Sequence, residues 1–207
     1  STKSSRASLK PEVRVQVKKG KNSYFRPVQK IKGEFPIPGD KSISHRAALF
    51  GGMAEGETHI TNFLTGQDCI STLECLGKLG VKWERRDDEV WIKGEGLDHW
   101  QEPKDILDVG NSGTTMRLFL GVLAGCPFAT TLTGDESIRS RPMRRVTKPL
   151  VQMGAQFLGR KKGTMAPLTV QGGDLQGIDY NSPVASAQIK SAILLAGLRA
   201  SGETSVT

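Results

Sequence analysis

The hexapeptide GETHIT at residues 56–61 returns almost unchanged as GETSVT at residues 202–207. Each copy follows a stretch of apolar and small residues, ISHRAALFGGMAE (43–55) before the first and AQIKSAILLAGLRAS (187–201) before the second. Such a stretch is too apolar for a surface helix and predicts a buried one, followed by a strand. A helix–strand pair that recurs along a chain indicates an internal structural repeat.

A third copy of the pair lies between the other two. It comprises GTTMRLFLGVLAG (113–125) followed by ATTLTG (129–134). Anchored on Gly56, Gly125 and Gly202, the three copies are 69 and 77 residues apart.

The segments between these copies also match each other. LGKLGVKW (76–83) and LVQMGAQF (150–157) align at an offset of 74 residues. Each predicts an amphipathic helix that ends on a glycine, where the left-handed conformation costs glycine little. A strand pair follows in both segments, with turns predicted at Asp87-Asp88 and at Lys162-Gly163.

The sequence therefore predicts an α/β domain of repeated units. Each unit has a glycine-rich turn, an apolar helix, a strand, a polar turn, an amphipathic helix and a strand pair. The units cover about residues 39–108, 109–180 and 181–207, and the third is incomplete. Because an unfinished unit exposes a sheet edge and a helix face, we expect this chain to be part of something longer.

Composition favours a globular protein outside the membrane. The chain is 37% hydrophobic and 24% charged, as in ordinary globular domains, and no run of 18 apolar residues predicts a membrane span. No apolar signal core opens the chain, and its three cysteines have no metal-ligand spacing. We expect reduced thiols and a cytoplasmic location, or a plastid if the basic N-terminal arm is a targeting remnant.

The net charge of +8 is not spread evenly. Residues 1–32 hold ten Lys and Arg but one acid, so they carry +9, and the remaining residues carry −1. The first 23 residues are interpreted as a basic extension, in which EVRVQV (12–17) alternates like a short strand. Because the rest is nearly neutral and lacks interleaved aromatic residues, nucleic acid is not expected as a partner.

The repeat aligns three short polar residues, Ser42, Asn111 and Gln188, each fourteen residues before an anchor glycine. Helix N-termini offer unpaired N–H groups and a partial positive charge, so they are natural anion sites. Either these termini converge on one anionic ligand, or the three residues are plain N-caps.

Basic residues near these positions favour the anion site. Lys41 precedes Ser42, and Arg46 follows it by one helical turn, where a planar guanidinium can hold a carboxylate or phosphate. The glycines of GNSGT (110–114) allow close backbone approach to a ligand. Pro142 predicts a helix start, which would place Arg141 at an N-cap. None of the histidines has metal-ligand spacing, and His45 is interpreted as a surface or packing residue.

Four motifs together resemble the N-terminal half of the 5-enolpyruvylshikimate-3-phosphate synthases (3-phosphoshikimate 1-carboxyvinyltransferases). The motifs are GDKSISHRA (39–47), GNSGTTMR (110–117), GDESIRSRPM (134–143) and PVASAQIKSAILLAG (183–197), and the similarity covers about residues 24–207. The resemblance implies the enolpyruvyl transferase fold, in which each of two domains is an inside-out α/β barrel of three βαβαββ units. Residues 24–38 would join the other domain, and residues 39–207 would form the N-terminal substrate-binding domain.

The resemblance also implies a reaction. The family moves the enolpyruvyl group of phosphoenolpyruvate to the 5-hydroxyl of shikimate 3-phosphate and releases phosphate, without metal or organic cofactor. Lys41 is implied to be catalytic and to touch both substrates. The implied shikimate 3-phosphate site is Lys41, Ser42, Arg46, Ser186, Ala187 and Gln188. The implied phosphoenolpyruvate site is Lys41, Asn111, Gly113, Arg141 and Gln188.

Two positions depart from the usual pattern of the family. Ala187 stands where some members have a second serine, so a contact there would use its backbone N–H. Leu118 stands where many members have proline, which bears on the phosphoenolpyruvate pocket and on glyphosate as a possible inhibitor.

The family's acid/base carboxylates and remaining phosphoenolpyruvate arginines lie in a second half. Since positioned acid/base groups each contribute about 10²–10⁴-fold, we expect negligible turnover from this chain alone and a complementary C-terminal half as partner. UDP-N-acetylglucosamine enolpyruvyl transferase is an alternative, but that family usually has asparagine at the position of Ser42 and a catalytic cysteine that SIRSRPM (137–143) lacks. A non-catalytic anion-binding half-domain is the other alternative.

Overall fold

The computed structural model describes residues 32–207. The basic extension at 1–23, the strand predicted at 12–17 and residues 24–31 of the joining segment lie outside the described residues. Residues Pro38–Thr207 form one compact unit. No helix of the described part is long and apolar enough to span a bilayer.

The first group of elements follows a helix–strand–helix–strand–strand order. Its members are α1 (Lys41–Met53), β1 (Glu55–Ile60), α2 (Gln67–Lys78), β2 (Lys82–Arg86) and β3 (Glu89–Glu95). The three strands form an antiparallel sheet in the order β1-β3-β2.

The second group begins with a short strand and then has the same order, apart from two one-turn helices. It comprises β4 (Leu107–Asp108), α3 (Gly113–Leu123), β5 (Ala129–Thr133), α4 (Glu136–Ser140), α5 (Arg144–Gln152), β6 (Gln156–Gly159), α6 (Arg160–Gly163) and β7 (Met165–Gln171). Its sheet has the order β4-β5-β7-β6, in which β4 is parallel to β5 and the other pairs are antiparallel.

The last group is short. It comprises β8 (Leu175–Gln176), β9 (Asp179–Tyr180), α7 (Ala187–Gly197), β10 (Ala200–Ser201) and β11 (Ser205–Val206). β8 pairs in parallel with β10, and β9 with β11. Helices and strands are interspersed along the described chain, and the predicted α/β class is confirmed.

The predicted glycine ends of the amphipathic helices are confirmed. Gly80 follows α2 with φ of 90°, and Gly154 follows α5 with φ of 115°. In each case the next residue donates its N–H to a carbonyl oxygen of the helix. Val81 donates to Leu76 at 3.0 Å, and Ala155 donates to Leu150 at 3.0 Å. The same chemistry therefore ends both helices and turns the chain into the next strand.

Helix α3 lies in the core because its residues from Leu118 to Leu123 are all apolar or glycine, so that this part of the helix has no polar face. Its side chains at Met116, Phe119 and Leu120 are at most 1% exposed. It packs along α7, and Gly121 permits the approach, since a Cβ there would lie 2.3 Å from the carbonyl oxygen of Ala192.

The interpretation of Ser42, Asn111 and Gln188 as N-caps is wrong. The caps of α1, α3 and α7 are Asp40, Ser112 and Ser186, whose side-chain oxygens accept from the N–H three residues on. Ser42 and Gln188 are second residues of their helices, whereas Asn111 precedes a cap. The anchor glycine lies 15 residues after the first residue of α1 and of α7 but 12 after that of α3, so a fixed spacing does not reach the same helix position in all three.

The predicted helix start at Pro142 is also wrong. Arg141 is the C-cap of α4, and α5 begins at Arg144 after the cap residue Met143. Asp135 caps α4 instead, accepting from the N–H of Ile138 at 2.9 Å. An arginine at a helix C-terminus is favoured by the helix dipole, so the helix end alone does not demand an anion beside Arg141.

Candidate functional site

A cavity of about 930 Å³ opens between the N-terminal end of α7, the segment that joins α4 to α5, and the exposed side of α3. Five cationic side chains line it, and its described lining contains no carboxylate. These cations are Arg117, Arg141, Arg144, Arg145 and Lys148. A concave surface lined by one sign of charge concentrates ligands of the opposite sign, so this cavity suits an anion.

The start of α7 forms one wall of the cavity. Ser186 caps the helix, and its Oγ accepts from the N–H of Ile189 at 3.4 Å. Ala187 and Gln188 are the first two helical residues and also line the cavity. The first N–H groups of a helix have no intrahelical partner, so this wall offers donors to an anion.

Gln188 connects α7 to α3 by two short hydrogen bonds. Arg117 donates from Nη1 to Oε1 of Gln188 at 2.6 Å. Gln188 in turn donates from Nε2 to Oγ1 of Thr114 at 2.9 Å. The carboxamide is therefore held at both ends by side chains from the first turns of α3.

Sequence reasoning missed Thr114 and Arg117. Thr114 is the second residue of α3, as Ser42 is of α1 and Gln188 of α7. Aligning the helix starts would have found it, and Arg117 lies three residues further on, on the same helix face.

Two guanidinium groups lie over the start of α3. A Cβ added at Gly113 would be 2.9 Å from Nη1 of Arg117 and 3.3 Å from Nη1 of Arg141. Burial lowers the pKa of Arg117, and the positive charges of Arg141 and Arg145 lower it further. The absence of a side chain at Gly113 therefore keeps room for closely spaced positive charges.

Lys41 and Arg46 place positive charge along α1. The ammonium group of Lys41 pairs with Asp68 in the first turn of α2. Arg46 makes longer contacts of 3.4 Å, from Nη1 to the carbonyl oxygen of Ser42 and from Nη2 to Oγ of Ser191 on α7. These α1 residues lie outside the lining of the cavity described above.

Asn111 faces a carboxylate in this structure. Its Nδ2 donates to Oδ2 of Asp135 at 2.6 Å, and this hydrogen bond is the main reason why the pKa of Asp135 is lowered. Arg141 donates from Nη2 to Oγ of Ser137 at 2.9 Å. Of the predicted site residues, the cavity lining thus unites Arg141, Ser186, Ala187 and Gln188.

His45 is buried beneath the start of α1, with no exposed surface. Its Nδ1 lies 2.8 Å from Oγ1 of Thr72 and 3.4 Å from Oγ1 of Thr115, and its Nε2 lies 3.5 Å from Oγ of Ser112. Burial, with the charges of Lys41 and Arg46, lowers its pKa to about 4. The imidazole is therefore a neutral packing residue that links α1, α2 and α3, as one of its two predicted roles required.

The described residues offer neither a metal cluster nor an activated thiol. No group of three or more His, Cys, Asp or Glu within 32–207 is arranged to hold a metal ion. Burial raises the pKa of Cys69 to about 11 and that of Cys75 to about 12. The cavity's chemistry is therefore that of guanidinium groups, hydroxyls, an amide and a helix terminus.

Comparisons with known proteins agree on one family. The family model described as EPSP synthase (3-phosphoshikimate 1-carboxyvinyltransferase) matches residues 25–207. A 3-phosphoshikimate 1-carboxyvinyltransferase of Desulfitobacterium hafniense is 74% identical over 187 residues, which are 90% of this chain and 43% of that protein. The protein of the same name from Bacillus licheniformis is 60% identical over 87% of this chain and 42% of its own length.

A solved structure agrees with the sequence relatives. The EPSP synthase of Acinetobacter baumannii matches with a TM-score of 0.81 and 50% identity, over 84% of this chain and 40% of that chain. The present chain thus spans less than half the length of the relatives that it resembles.

Proposed function

This chain belongs to the EPSP synthase family, and we propose that it forms the N-terminal half of a 3-phosphoshikimate 1-carboxyvinyltransferase. The complete enzyme would transfer the enolpyruvyl group of phosphoenolpyruvate to the 5-hydroxyl of shikimate 3-phosphate and release phosphate. The resemblance seen in four sequence motifs is confirmed at the level of the family. The activity follows from it as a proposal, because the chain covers 43% of the D. hafniense relative.

The fold proposal is a set of βαβαββ units in an inside-out α/β barrel. The elements β4, α3, β5, α5, β6 and β7 supply one such unit in order along the chain. The sheet orders β1-β3-β2 and β5-β7-β6 match, which supports a unit around α1 and α2 that lacks only its first strand. The pair β9–β11 with α7 between them would begin a third unit.

The observation that carries the functional proposal is the cavity at the start of α7, in which every charged lining residue is cationic. Shikimate 3-phosphate and phosphoenolpyruvate are both multiply charged anions, and each needs charge-assisted hydrogen bonds. Ser186, the backbone N–H of Ala187 and the amide of Gln188 would hold shikimate 3-phosphate. Gly113 and Arg141 would receive phosphoenolpyruvate beside it.

The residues of α1 would complete both binding sites. Lys41 would leave Asp68 and contact both substrates, where its positive charge stabilises negative charge that develops during transfer. Ser42 and Arg46 would hold shikimate 3-phosphate, and Asn111 would turn from Asp135 to phosphoenolpyruvate. The reaction would need no metal or organic cofactor.

A complementary C-terminal half would supply the acid/base carboxylates and the remaining arginines. Glyphosate would compete with phosphoenolpyruvate in the completed site. Leu118 is 2% exposed, so it would act on that pocket only through the placement of the first turn of α3. Three buried free cysteines fit a reducing compartment, and the proposed location is the cytoplasm.

The test is phosphate release from shikimate 3-phosphate plus phosphoenolpyruvate. It should be measured for this chain alone and after co-expression with the C-terminal portion of the D. hafniense relative. We expect turnover only with both portions present, and Lys41→Met should then lower it at least about 100-fold, as expected when a charge-stabilising group is lost. Lys93→Met is the matched control, because Lys93 is an exposed lysine of β3 that lies outside the cavity lining and is not a proposed substrate contact.

The outcomes separate the candidate functions. Turnover of the two-part enzyme that survives Lys41→Met within a few-fold would refute the role of Lys41. Absence of turnover, with shikimate 3-phosphate still bound by this chain in calorimetry, would leave a non-catalytic anion-binding domain. Turnover with UDP-N-acetylglucosamine as acceptor would favour the related transferase.

A further inference from the structure

Arg117 differs from the other cations of the cavity in its partner. It is half-buried, and within residues 32–207 its guanidinium donates one hydrogen bond, to the amide oxygen of Gln188 at 2.6 Å. Arg144 and Arg145 are exposed and project from α5. A guanidinium that gives up part of its hydration needs its hydrogen bonds more than an exposed one does.

The bond between Arg117 and Gln188 fixes which way the amide faces. A guanidinium has five N–H donors and no acceptor, so only the oxygen of the carboxamide can face it. The NH₂ group of Gln188 must then point the other way, where Thr114 accepts one of its two hydrogens at 2.9 Å. The second hydrogen is left for a ligand in the cavity that Gln188 lines.

We propose that Arg117 is a positioning residue, which locks the carboxamide of Gln188 with its NH₂ group turned toward the anionic substrate. This inference rests on the proposed function, because it assigns a role within the same site. Arg117 acts through Gln188 and is not itself assigned a contact with substrate. Released from Arg117, the amide would lose its fixed orientation and present its oxygen to an anion in part of the population.

The position of the hydrogen bond between Arg117 and Gln188 explains why residue 117 is an arginine. Arg117 sits on α3 and Gln188 on α7, so the bond also fixes the first turns of the two helices relative to each other. Gly113 leaves the space that the Arg117 side chain occupies, with its Nη1 only 2.9 Å from a would-be Cβ. A shorter or uncharged side chain at position 117 would reach the amide less well or would not specify its direction.

The test is a double-substitution cycle on shikimate 3-phosphate binding, measured by calorimetry with the whole chain. Because hydrogen bonds to charged groups contribute about 1.5–3 kcal/mol, Arg117→Met and Gln188→Met should each weaken binding about 10–100-fold. If Arg117 acts through Gln188, the two losses should not add. The double variant should then bind shikimate 3-phosphate only slightly more weakly than the single variant with the lower affinity. The small remaining difference should equal the effect of removing one positive charge from the cavity.

Arg145→Met measures that effect of lost charge. Arg145 lines the same cavity, and no hydrogen bond joins it to Gln188 among the described contacts. In the Gln188→Met background, Arg117→Met should therefore cost no more than Arg145→Met. In the unsubstituted background it should cost clearly more.

Gln188→Glu supplies a second variant that keeps the fold. A carboxylate at position 188 still accepts from Arg117 but has no NH₂ group, so thermal stability should hold while binding falls at least about tenfold. Arg117→Lys should rescue part of the affinity lost in Arg117→Met, because an ammonium group is also a donor only.

Nuclear magnetic resonance separates failure of the lock from failure of the proposed function. The side-chain amide resonance of Gln188, identified by its loss in Gln188→Glu, should shift in Arg117→Met and hold its position in Arg145→Met. An amide resonance unmoved by Arg117→Met, or additive losses in the cycle, would overturn the inference. A third outcome is that the unsubstituted chain binds no shikimate 3-phosphate while the resonance still shifts in Arg117→Met. The proposed function and the role of Arg117 toward substrate would then both be wrong, although the hydrogen bond between Arg117 and Gln188 would stand.

Discussion

At the scale of single residues, His45 packs beneath the residues of the proposed anion site on α1. The ring is fully buried, and its two nitrogens face the hydroxyls of Thr72, Thr115 and Ser112. Lys41 and Arg46 flank it on α1, and their charges add to the burial that lowers its pKa to about 4. A neutral imidazole therefore holds the starts of the helices together without adding charge to the site.

This pKa makes a prediction about stability. The folded pKa of about 4 lies below the ordinary value of 6.5, so the unfolded chain binds a proton first as the pH falls. His45 should therefore lower the free energy of unfolding from about pH 6.5 down to about pH 4, by about 3 kcal/mol in all. Urea unfolding followed by circular dichroism at pH 7 and pH 4.5 should show the loss.

Substitution isolates the contribution of His45. His45→Gln should shrink the stability difference between pH 7 and pH 4.5 by about 2 kcal/mol, because glutamine does not titrate. His59→Gln is the control, since His59 lies on the surface with its ring stacked on Trp91. If His45→Gln showed the same stability difference between pH 7 and pH 4.5 as the unsubstituted chain, the prediction would be contradicted.

Some residues of the cavity could be predicted from the sequence and others could not. Arg141, Ser186 and Gln188 were predicted and do line the cavity. Arg117 was missed, because the amide that it contacts is 71 residues away along the chain. A contact of that kind depends on the packing of α3 against α7, which no local pattern encodes.

At the scale of elements, local chemistry was predictable and helix starts were less so. The glycines after α2 and α5 were predicted because their left-handed φ is a local demand. The start of α5 was predicted at the wrong residue, because proline at a first helical position is only a tendency. Here Met143 donates its N–H to the carbonyl oxygen of Thr164 at 2.7 Å, so the position of that cap depends on a residue near β7.

The packing of α3 on α7 leads to a prediction about Gly121. A Cβ there would lie 2.3 Å from the oxygen and 2.7 Å from the Cα of Ala192, both of them backbone atoms. Gly121→Ala should push the helices apart and lower the free energy of unfolding by about 1–3 kcal/mol. It should also weaken shikimate 3-phosphate binding, because the contact between Arg117 and Gln188 crosses the same interface.

Gly173→Ala is the matched control for that substitution. A Cβ at Gly173 meets nothing within 4 Å, so the change should be neutral or stabilising by up to about 1 kcal/mol. Urea unfolding measures the stability of the two variants, and calorimetry measures their binding of shikimate 3-phosphate. Unchanged stability and binding in Gly121→Ala would mean that the helix interface tolerates the displacement.

At the scale of the whole molecule, two helices leave apolar side chains in solvent. Ile43 and Phe50 on α1 are 68% and 50% exposed, and Leu194 on α7 and its C-cap residue Leu198 are 48% and 66% exposed. The members of each pair are seven and four residues apart, so each pair lies on one helix face. Large exposed apolar faces mark surfaces that bind another chain or segment.

The packing order suggests what would cover α1. Helix α2 packs against α3, and α5 packs against α7, so the second helix of each proposed unit contacts the first helix of the next proposed unit. By the same rule, the second helix of a completed third unit would lie against α1. Because the D. hafniense relative is more than twice as long as its match to this chain, we expect its C-terminal portion to supply that helix.

The last prediction concerns assembly through this face. Phe50→Asp should weaken association with the C-terminal portion of the D. hafniense relative at least about tenfold, because buried aromatic anchors dominate interfaces. The isolated chain should keep its stability, since Phe50 is already half exposed there. Leu158→Asp is the control, at a leucine on β6 that is 65% exposed and lies outside the α1 face. Sedimentation velocity and phosphate release at increasing partner concentration measure the effect, and equal losses in both variants would mean that assembly does not depend specifically on the α1 face.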